Sequence, residues 1–499
     1  MAARTLAELV RAAAAEHPDK PALLHEDTML TWTELDALVD RCTSGLLTRV
    51  QEPGERVAIL LPNTVEFVAA YFGVLRAGLV AVPLNTAYTR AELEHQVQDA
   101  RASLVITDVE HVSRLDFLPA EQVIVVGGAE PSWELLLAAG EGRVVDDELA
   151  RGDDLALLLY TSGTTGQPRG AMLTHRALMA NLAQLDRIEP SVVAPDDIVL
   201  LVLPLFHVYG LNAGLGQVAW AGATAVLAER FDPVETLTLI HDRHVSNIVG
   251  APPMFVAWSM LPDLEANLAS VRLAVSGAAP LPPAVLSHLL ETTGHHIFEG
   301  YGLTETAPVL TTTLCSEVAK PGSVGRPIPG VEVRILDEAG DEVDEDDPGE
   351  LVVRGPNLFS GYWPDGSGGP DADGWFRTGD IAYADTDHDL FLVDRTKELI
   401  LVSGFNVYPR EVEQVLEAHP DVYEVAVIGV PHPYTGETVK ALVVPRTGTS
   451  PSADELIEFA ARRLARFKCP TSVELVDQLP HSLSGKVAKG RLRDHIDAP

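Results

Sequence analysis

The chain is poor in cysteine and lacks long apolar stretches, and each shortage excludes a class of protein. Its three cysteines, Cys42, Cys315 and Cys469, are too few and too widely spaced for a disulfide framework or a thiolate metal site. The longest apolar runs, 199–206 and 425–430, are too short to cross a bilayer and are typical of buried parallel strands. We therefore expect a globular chain that spans no membrane.

The N-terminal residues also lack a secretion signal. Residues 1–16 follow an amphipathic pattern that charged side chains interrupt, without the continuous apolar stretch that such a signal needs. An odd number of cysteines suits a reducing compartment. The sequence therefore predicts a cytoplasmic protein.

Positive charge is scarce as well. The formal net charge is −36, which repels phosphate backbones and disfavours binding of nucleic acid. Any phosphate-bearing ligand therefore requires a locally basic site. Only seven lysines are present, and five of them lie beyond residue 395. Chemistry that needs an ammonium group is expected in the C-terminal part of the chain.

The hydrophobic pattern changes twice along the chain. From about residue 55 to 320, short apolar runs alternate with helical patterns, which predicts parallel sheets covered by helices. The predicted strands include 80–83, 224–227, 247–250 and 273–276. Residues 322–395 carry more glycine, proline and β-forming pieces, and predict a smaller antiparallel unit. Beyond residue 399 the pattern predicts helices at 409–418 and 452–464 and strands at 422–430, 440–445 and 472–476.

The expected class is therefore α/β. We predict a large N-terminal domain, 1–395, built from two helix-covered β-sheets plus a small β-barrel-like unit. A hinge at 396–398 would connect it to a small, mobile C-terminal α+β domain, 399–499.

A loop rich in glycine and hydroxyl side chains follows the apolar run 155–159. It reads Tyr-Thr-Ser-Gly-Thr-Thr-Gly-Gln-Pro-Arg-Gly over 160–170. Hydroxyl groups and unhindered backbone N–H groups can wrap phosphate oxygens. The Gly-Lys-[Ser/Thr] ending of a Walker loop is absent. By composition alone the segment is also typical of a flexible polar connection.

The loop resembles the phosphate-binding signature of the acyl-adenylate-forming (AMP-binding) superfamily, in particular its branch of fatty acyl-CoA synthetases and other acid–thiol ligases. Four further signatures of that family follow in its order. They are Ser-Gly-Ala-Ala-Pro at 276–280, Glu-Gly-Tyr-Gly-Leu-Thr-Glu-Thr at 299–306, Gly-Trp-Phe-Arg-Thr-Gly-Asp at 374–380 with Asp-Arg-Thr-Lys-Glu at 394–398, and a C-terminal stretch at 480–486. The resemblance covers essentially the whole chain.

The resemblance implies an ATP and Mg²⁺ site. Arg169 stands where the family usually has lysine, and a guanidinium also pairs with phosphate. Thr304 is implied to bind the α-phosphate, and Thr165 and Glu305 to hold Mg²⁺. The remaining nucleotide-binding residues that it implies are Thr161, Ser162, Gly163, Thr164, Thr165, Gly166, Gly277, Ala278, Ala279, Glu299, Gly300, Tyr301, Gly302, Asp380 and Arg395.

It also implies two half-reactions in two conformations. Lys486 matches the catalytic lysine that lets a carboxylate approach an anionic phosphate, and Lys397 lies at the hinge. The coenzyme A contacts that it implies are Arg230, Ser403, Gly404 and Phe405, with Arg466 as an alternative to Arg230. Some relatives have lysine at the positions of Leu401 and Ser403, and this chain departs from them there.

The acid is implied to lie near the stretches 204–210 (Pro-Leu-Phe-His-Val-Tyr-Gly), 250–253 and 307–310. The residues implied to line it are His207, Val208, Gly250, Leu303 and Val309, with His207 also a catalytic candidate. A lone histidine in an apolar run is more often a satisfied core residue. No Asp, Lys or Arg stands in these stretches, which favours an aliphatic or aromatic acid. A fatty acid is the expected substrate, with an aryl acid as the alternative.

The expected function is that of an AMP-forming acyl-CoA ligase. It would convert a carboxylic acid and ATP to acyl-AMP and pyrophosphate, and then form acyl-CoA with coenzyme A. Two alternatives stay open: an acyl-AMP ligase that loads a carrier protein, and a catalytically silent nucleotide-binding regulator. A homodimer, and a lysine acetyltransferase acting on Lys486, stay open as partners.

Overall fold

A computed structural model describes residues 3–50, 52–128, 131–142, 149–162, 168–279, 281–337, 339–345, 347–395, 400–407, 409–479 and 492. They fall into two compact units. The first consists of Met1–Thr86, Val97–Leu159 and Gly170–Val393, and the second of Ala87–Gln96, Tyr160–Arg169 and Asp394–Pro499. No helix of the described ranges is both long and apolar enough to cross a membrane.

Six of the described α-helices begin at a side chain that binds the free N–H groups of the first turn. The capping residues are Thr31, Thr64, Ser132, Thr174, Asp232 and Ser452. In the described ranges the α-helices are α1 Leu9–Glu16, α2 Trp32–Leu46, α3 Val65–Arg76, α4 Arg90–Asp99, α5 Trp133–Ala139, α6 His175–Leu185, α7 Gln217–Ala221, α8 Pro233–Asp242, α9 Pro252–Ser259, α10 Leu264–Asn267, α11 Pro283–Thr293, α12 Pro409–Glu417 and α13 Ala453–Ala461. A π-helix, Tyr209–Gly216, leads into α7.

The strands carry the β-branched and aliphatic runs of the sequence. In the described ranges they are β1 Pro21–His25, β2 Thr28–Thr31, β3 Arg56–Leu60, β4 Val80–Pro83, β5 Ala102–Asp108, β6 Val123–Val126, β7 Leu155–Ser162, β8 Pro168–Thr174, β9 Ile198–Leu201, β10 Thr224–Leu227, β11 Asn247–Gly250, β12 Leu273–Ser276, β13 Ile297–Gly302, β14 Val309–Thr312, β15 Arg326–Pro327, β16 Glu332–Leu336, β17 Gly349–Arg354, β18 Phe376–Ala384, β19 Leu390–Arg395, β20 Ile400–Val402, β21 Phe405–Val407, β22 Val422–His432, β23 Gly436–Pro445 and β24 Ser472–Leu475.

The first unit contains three sheets. One has the order β6-β5-β3-β4-β7-β8, and a larger one has the order β15-β14-β13-β12-β11-β9-β10-β1-β2. The centre of the larger sheet, from β1 to β13, is parallel. The third sheet, β16-β17-β18-β19, is the small β unit. Helices cover the large sheets, as α3 does with fully buried Phe67 and Phe72. The predicted α/β class is confirmed.

The second unit is built on the sheet β21-β20-β23-β22, with β24 parallel to β23. The prediction of a parallel strand at 425–430 is wrong, because β22 pairs antiparallel with β23. The run is apolar because both faces of β22 are covered: Val425 and Val427 lie in one core cluster, Ala426 and Ile428 in another. Helix α13 begins at Ala453, capped by Ser452, and ends at Ala461, three residues before the end of the predicted helix 452–464.

A buried lysine lies within the second unit. The Nζ of Lys468 lies 2.8 Å from Oε1 of Glu411 and 3.4 Å from Oε1 of Glu92. It also lies 4.7 Å from the ring centroid of Tyr88. Burial by itself lowers the pKa of Lys468, but Tyr88, Glu411 and Glu92 outweigh it and hold the pKa above its usual value. The lysine is therefore charged, and segment 87–96 belongs to this unit through it.

We expect Lys468→Met to destabilise the second unit by about 3–5 kcal/mol, because it leaves buried carboxylates without their counter-charge. Hydrogen exchange of the full-length chain, followed by mass spectrometry, should show faster exchange throughout β20–β24. The matched control is Lys440→Met, which removes the more exposed pair to Glu474 and should cost at most about 1 kcal/mol. Equal effects of the two variants would contradict the role given to Lys468.

Candidate active site

The predicted acid and nucleotide residues of the first unit meet at one edge of the large sheet. In strand register, Gly250 at the end of β11 lies beside Ser276 at the end of β12, and Ser276 lies beside Glu299 of β13. Because these strands are parallel, the segments that leave their carboxyl ends emerge together. That edge is where open α/β sheets bind ligands.

The segment after β12 packs closely against a neighbouring side chain and contains a strained backbone conformation. Both features are typical of a segment that lines a ligand site. A Cβ at Gly277 would lie 2.9 Å from ring atoms of Tyr209, so only glycine lets that ring pack there. The next residue, Ala278, has φ +74°, in the left-handed region that a non-glycine residue rarely adopts. Such strain is concentrated at functional sites.

Two residues of the nucleotide signature organise its neighbours. An Oε1 of Glu299 accepts a hydrogen bond of 2.9 Å from the backbone N–H of Leu281, which fixes the far end of the segment after β12. Burial raises the pKa of Glu299, and this hydrogen bond opposes the rise. The hydroxyl of Tyr301 donates to the buried carboxylate of Asp380 on β18. The structure thus brings together the predicted adenine wall and the predicted ribose carboxylate.

The turn Thr304–Thr306 and the residues after it are held by three fully buried asparagines. Asn357 donates to the carbonyl of Thr306 at 2.7 Å, and Asn212 to the carbonyl of Ala307 at 2.7 Å. Asn181 donates to the carbonyl of Val309 at 2.8 Å and accepts from its N–H at 3.2 Å. Gly302, just before the turn, leaves no room for a Cβ, which would lie 1.8 Å from the carbonyl oxygen of Pro308.

The carboxylate of Glu305 lies buried against Tyr362, whose hydroxyl donates to an Oε1 of Glu305 at 2.6 Å. The backbone of Glu305 is fixed as well, because its carbonyl accepts from the N–H of Phe359 at 2.9 Å. Tyr362 bonds one carboxylate oxygen, and no hydrogen bond from another described residue reaches the second oxygen. A single oriented carboxylate suits Mg²⁺, which takes one or two protein carboxylates together with phosphate oxygens.

The predicted acid site lies on the segment between β9 and the π-helix. The ring of His207 lies 4.8 Å from that of Phe206 and keeps exposed surface. Partial desolvation by its neighbours lowers the pKa of His207, so the ring is neutral near pH 7. The π-helix begins at Tyr209, and π-helical turns are frequent at functional sites.

The predicted coenzyme A residues lie on a tight hairpin of the second unit. Ser403 and Gly404 form the two-residue turn between β20 and β21, with φ +52° and +81°. Both values are left-handed, as a type I′ turn requires. Phe405 stacks on Phe467 with ring centroids 4.5 Å apart. Arg466 of the same unit is exposed, as is Arg230 of the first unit.

Several predicted site residues lie outside the described part of the chain. Thr161 is the last residue but one of β7, and Arg169 lies on β8, but Gly163, Thr164, Thr165 and Gly166 between the two strands are not described. The same holds for Lys397 and Lys486, and for the side chains of Ser162 and Arg395. Their roles stay predictions.

Sequence reasoning missed the residues that support the site. Tyr362 lies far from the signature that contains Glu305, and Asn181, Asn212 and Asn357 carry no motif of their own. Tyr209 stands in the stretch Pro-Leu-Phe-His-Val-Tyr-Gly that the acid-site prediction used, and a polar group in that apolar run was the available signal.

Comparison with known proteins assigns this architecture to a family. Residues 10–363 match the AMP-binding enzyme family model, and residues 411–486 match the AMP-binding enzyme C-terminal domain. This chain belongs to the AMP-binding enzymes. The predicted resemblance to the acyl-adenylate-forming superfamily is confirmed, and the chain is an AMP-forming ligase of the acyl- and aryl-CoA ligase type.

Curated AMP-binding enzymes and a solved structure align with nearly the whole chain. A feruloyl-CoA synthase from Amycolatopsis is 39% identical, covering 95% of this chain and 96% of the relative. A long-chain-fatty-acid–CoA ligase from Bacillus subtilis (strain 168) is 34% identical, covering 98% and 94%. A double mutant of the o-succinylbenzoate CoA synthetase of Bacillus subtilis, bound with its product analogue, superposes with a TM-score of 0.86 at 29% identity, covering 98% of each chain.

We expect Tyr362→Phe to raise the Mg²⁺ concentration needed for half-maximal pyrophosphate release by about 10–100-fold, the usual effect of removing a partner that orients a metal ligand. Saturating Mg²⁺ should restore most of the rate. The control is Tyr383→Phe. The ring of Tyr383 on β18 stacks on that of Phe391 on the adjacent strand β19. A loss that Mg²⁺ does not restore would mean that Tyr362 only supports packing.

Proposed function

We propose that this AMP-binding enzyme activates an aromatic carboxylic acid as its acyl-adenylate and transfers the acyl group to coenzyme A. The observation that carries the choice of acid is the hydroxyl of Tyr209. It is buried, and it has no hydrogen-bond partner among the described residues. The ring around it packs on Gly277, so the hydroxyl lies where the predicted acid site meets the predicted adenine wall.

A buried hydroxyl without a partner costs free energy, and native proteins retain such groups where a ligand supplies the partner. Burial raises the pKa of Tyr209, which keeps the hydroxyl protonated and able to donate. A ring substituent that accepts a hydrogen bond would satisfy it, whereas an alkyl chain would leave it unpaired. The names of two relatives support the same choice, since feruloyl and succinylbenzoate groups are both aromatic.

A fatty acid is the second candidate. Val208, Leu303 and Val309, the other predicted contacts of the acid, are apolar and would accept an alkyl chain. The long-chain-fatty-acid–CoA ligase supports this candidate at somewhat lower identity.

The chemistry that we propose uses the predicted residues in two steps. Lys486 would contact both the carboxylate and the α-phosphate, which lowers the repulsion between two anions as they react. Thr304 would hold the α-phosphate, while Asp380 and Arg395 would hold the ribose. Mg²⁺, carried by Glu305 and Thr165, would supply neutralising charge to the phosphates.

We further propose that the domain 399–499 reorients about a hinge at 396–398 between the two steps. The hairpin that carries Ser403 and Gly404 would then receive the pantetheine arm of coenzyme A, since its glycine lets a ligand approach the backbone closely.

The test of the overall reaction is a pyrophosphate-release screen with and without coenzyme A. The acids are cinnamate, 4-hydroxycinnamate, benzoate and straight-chain acids of graded length. We expect the hydroxylated aromatic acid to be preferred and its CoA thioester to form. Preference for alkyl acids would favour the second candidate, and adenylation without thioester would favour a carrier-protein acceptor.

We expect Tyr209→Phe to lower kcat/KM for 4-hydroxycinnamate by about tenfold, the loss of one buried hydrogen bond. The same substitution should leave cinnamate, which lacks the ring hydroxyl, within about twofold. Because the same variant is assayed with both acids, a folding defect would lower both values of kcat/KM alike. Equal losses for both acids would remove Tyr209 from recognition of the substituent.

We expect Lys486→Ala to lower the adenylation rate by about 100- to 1000-fold, the usual loss when one group that stabilises developing charge is removed. The same variant should still form acyl-CoA from supplied acyl-AMP, because the lysine is proposed to act only in the first conformation. Lys489→Ala, three residues away, is the matched control. An equal loss in both half-reactions would contradict the two-conformation mechanism.

A further inference from the structure

A cleft on the first unit contains none of the residues assigned to the acid, to nucleotide or to coenzyme A. Its volume is about 710 Å³, within the range of about 300–1,000 Å³ that is usual for small-molecule sites. One wall is a face of α6, from which Met179, Ala180 and Ala183 contribute small or apolar side chains. The half-buried indole of Trp220 on α7 also lines the cleft.

The rim of the cleft is cationic. Arg4 and Arg151 line it, and neither side chain forms an ion pair within the described part of the chain. Two carboxylates also line the cleft. Asp153 pairs with Arg176, and Asp154 accepts from the backbone N–H of Arg151 at 2.8 Å, a hydrogen bond that leaves its charge in place. The lining therefore carries the guanidinium groups of Arg4, Arg151 and Arg176 against two carboxylates, an excess of one positive charge in a chain whose formal charge is −36.

A cleft lined by apolar side chains and guanidinium groups suits one class of ligand. Guanidinium binds carboxylate with two parallel hydrogen bonds, and an indole ring offers a broad apolar surface. We propose that this cleft is a second ligand site, which binds a carboxylate with an apolar body. The carboxylate head group would bind Arg4 and Arg151, and the apolar body would pack against Trp220. A cation with the same body would be repelled at the rim.

The position of the cleft gives such a ligand contact with the supports of the active site. Helix α6 carries Asn181, which holds Val309, and α7 continues the π-helix that carries Asn212, which holds Ala307. A bound carboxylate would touch both helices without contacting either asparagine. It would therefore act as an effector rather than as a substrate.

The first experiment is a fluorescence titration of the full chain with 1-anilinonaphthalene-8-sulfonate, an anion with an apolar body. We expect Arg4→Gln/Arg151→Gln to weaken binding of this probe by about tenfold or more, as for loss of hydrogen bonds between charged groups. Ala183→Trp, which fills the cleft, should remove the same component of the signal. Arg41→Gln/Arg462→Gln removes two exposed arginines elsewhere and should bind as the unmodified chain does.

The second experiment identifies the head group and the source of the ligand. Octanoate should displace the probe from the unmodified chain, whereas octylamine, with the same chain and opposite charge, should not. Displacement by 4-hydroxycinnamate as well would make the enzyme's own acid a ligand of the cleft. Equal displacement by octanoate and octylamine, or unchanged probe binding in both cleft variants, would overturn the proposal. Neither readout uses the ligase reaction, so failure here is distinguishable from failure of the proposed function.

Discussion

The active site depends on the hydrogen bonds that three buried asparagines make to the backbone between Thr306 and Val309. Carbonyl groups in a tight turn have no strand or helix partner, and burying them unpaired would be costly. Each asparagine comes from a different element, so the turn is braced from several directions at once. This bracing fixes Glu305 and Thr304 before any ligand binds, and such preorganisation is what makes electrostatic catalysis effective.

Much of the fold could be predicted because its strands are short and apolar and are separated by helical or turn-forming segments. The predicted bounds of β4, β10, β11 and β12 coincide with those observed, since a buried parallel strand gives a continuous apolar run. The same signal misled the prediction for β22. An apolar run reports that both faces of a strand are covered, and it carries no information about the direction of the neighbouring strand.

The candidate site was predictable only where its residues lie in contiguous signatures. Glu299, Tyr301 and Glu305 share one octet, and Asp380 ends another. Tyr362 was not predictable, because its contact with Glu305 depends on how the chain returns after the turn. Lys468 is a similar case. In a sequence, a lysine predicts a solvated surface charge. Only the packing of segment 87–96 against Glu411 and Lys468 shows that the charge of Lys468 is buried.

The packing of Tyr209 on Gly277 has an evolutionary consequence. The loops at the carboxyl edge of a sheet usually diverge independently, so that an enzyme changes its acid while keeping ATP chemistry intact. Here the side chain at 209 fills the space that the missing Cβ at 277 leaves. A new residue at 209 therefore reshapes the predicted adenine wall, and a new residue at 277 displaces the ring. Lineages that change substrate are expected to vary these two positions together, or to leave both alone and vary Val208 or Leu303 instead.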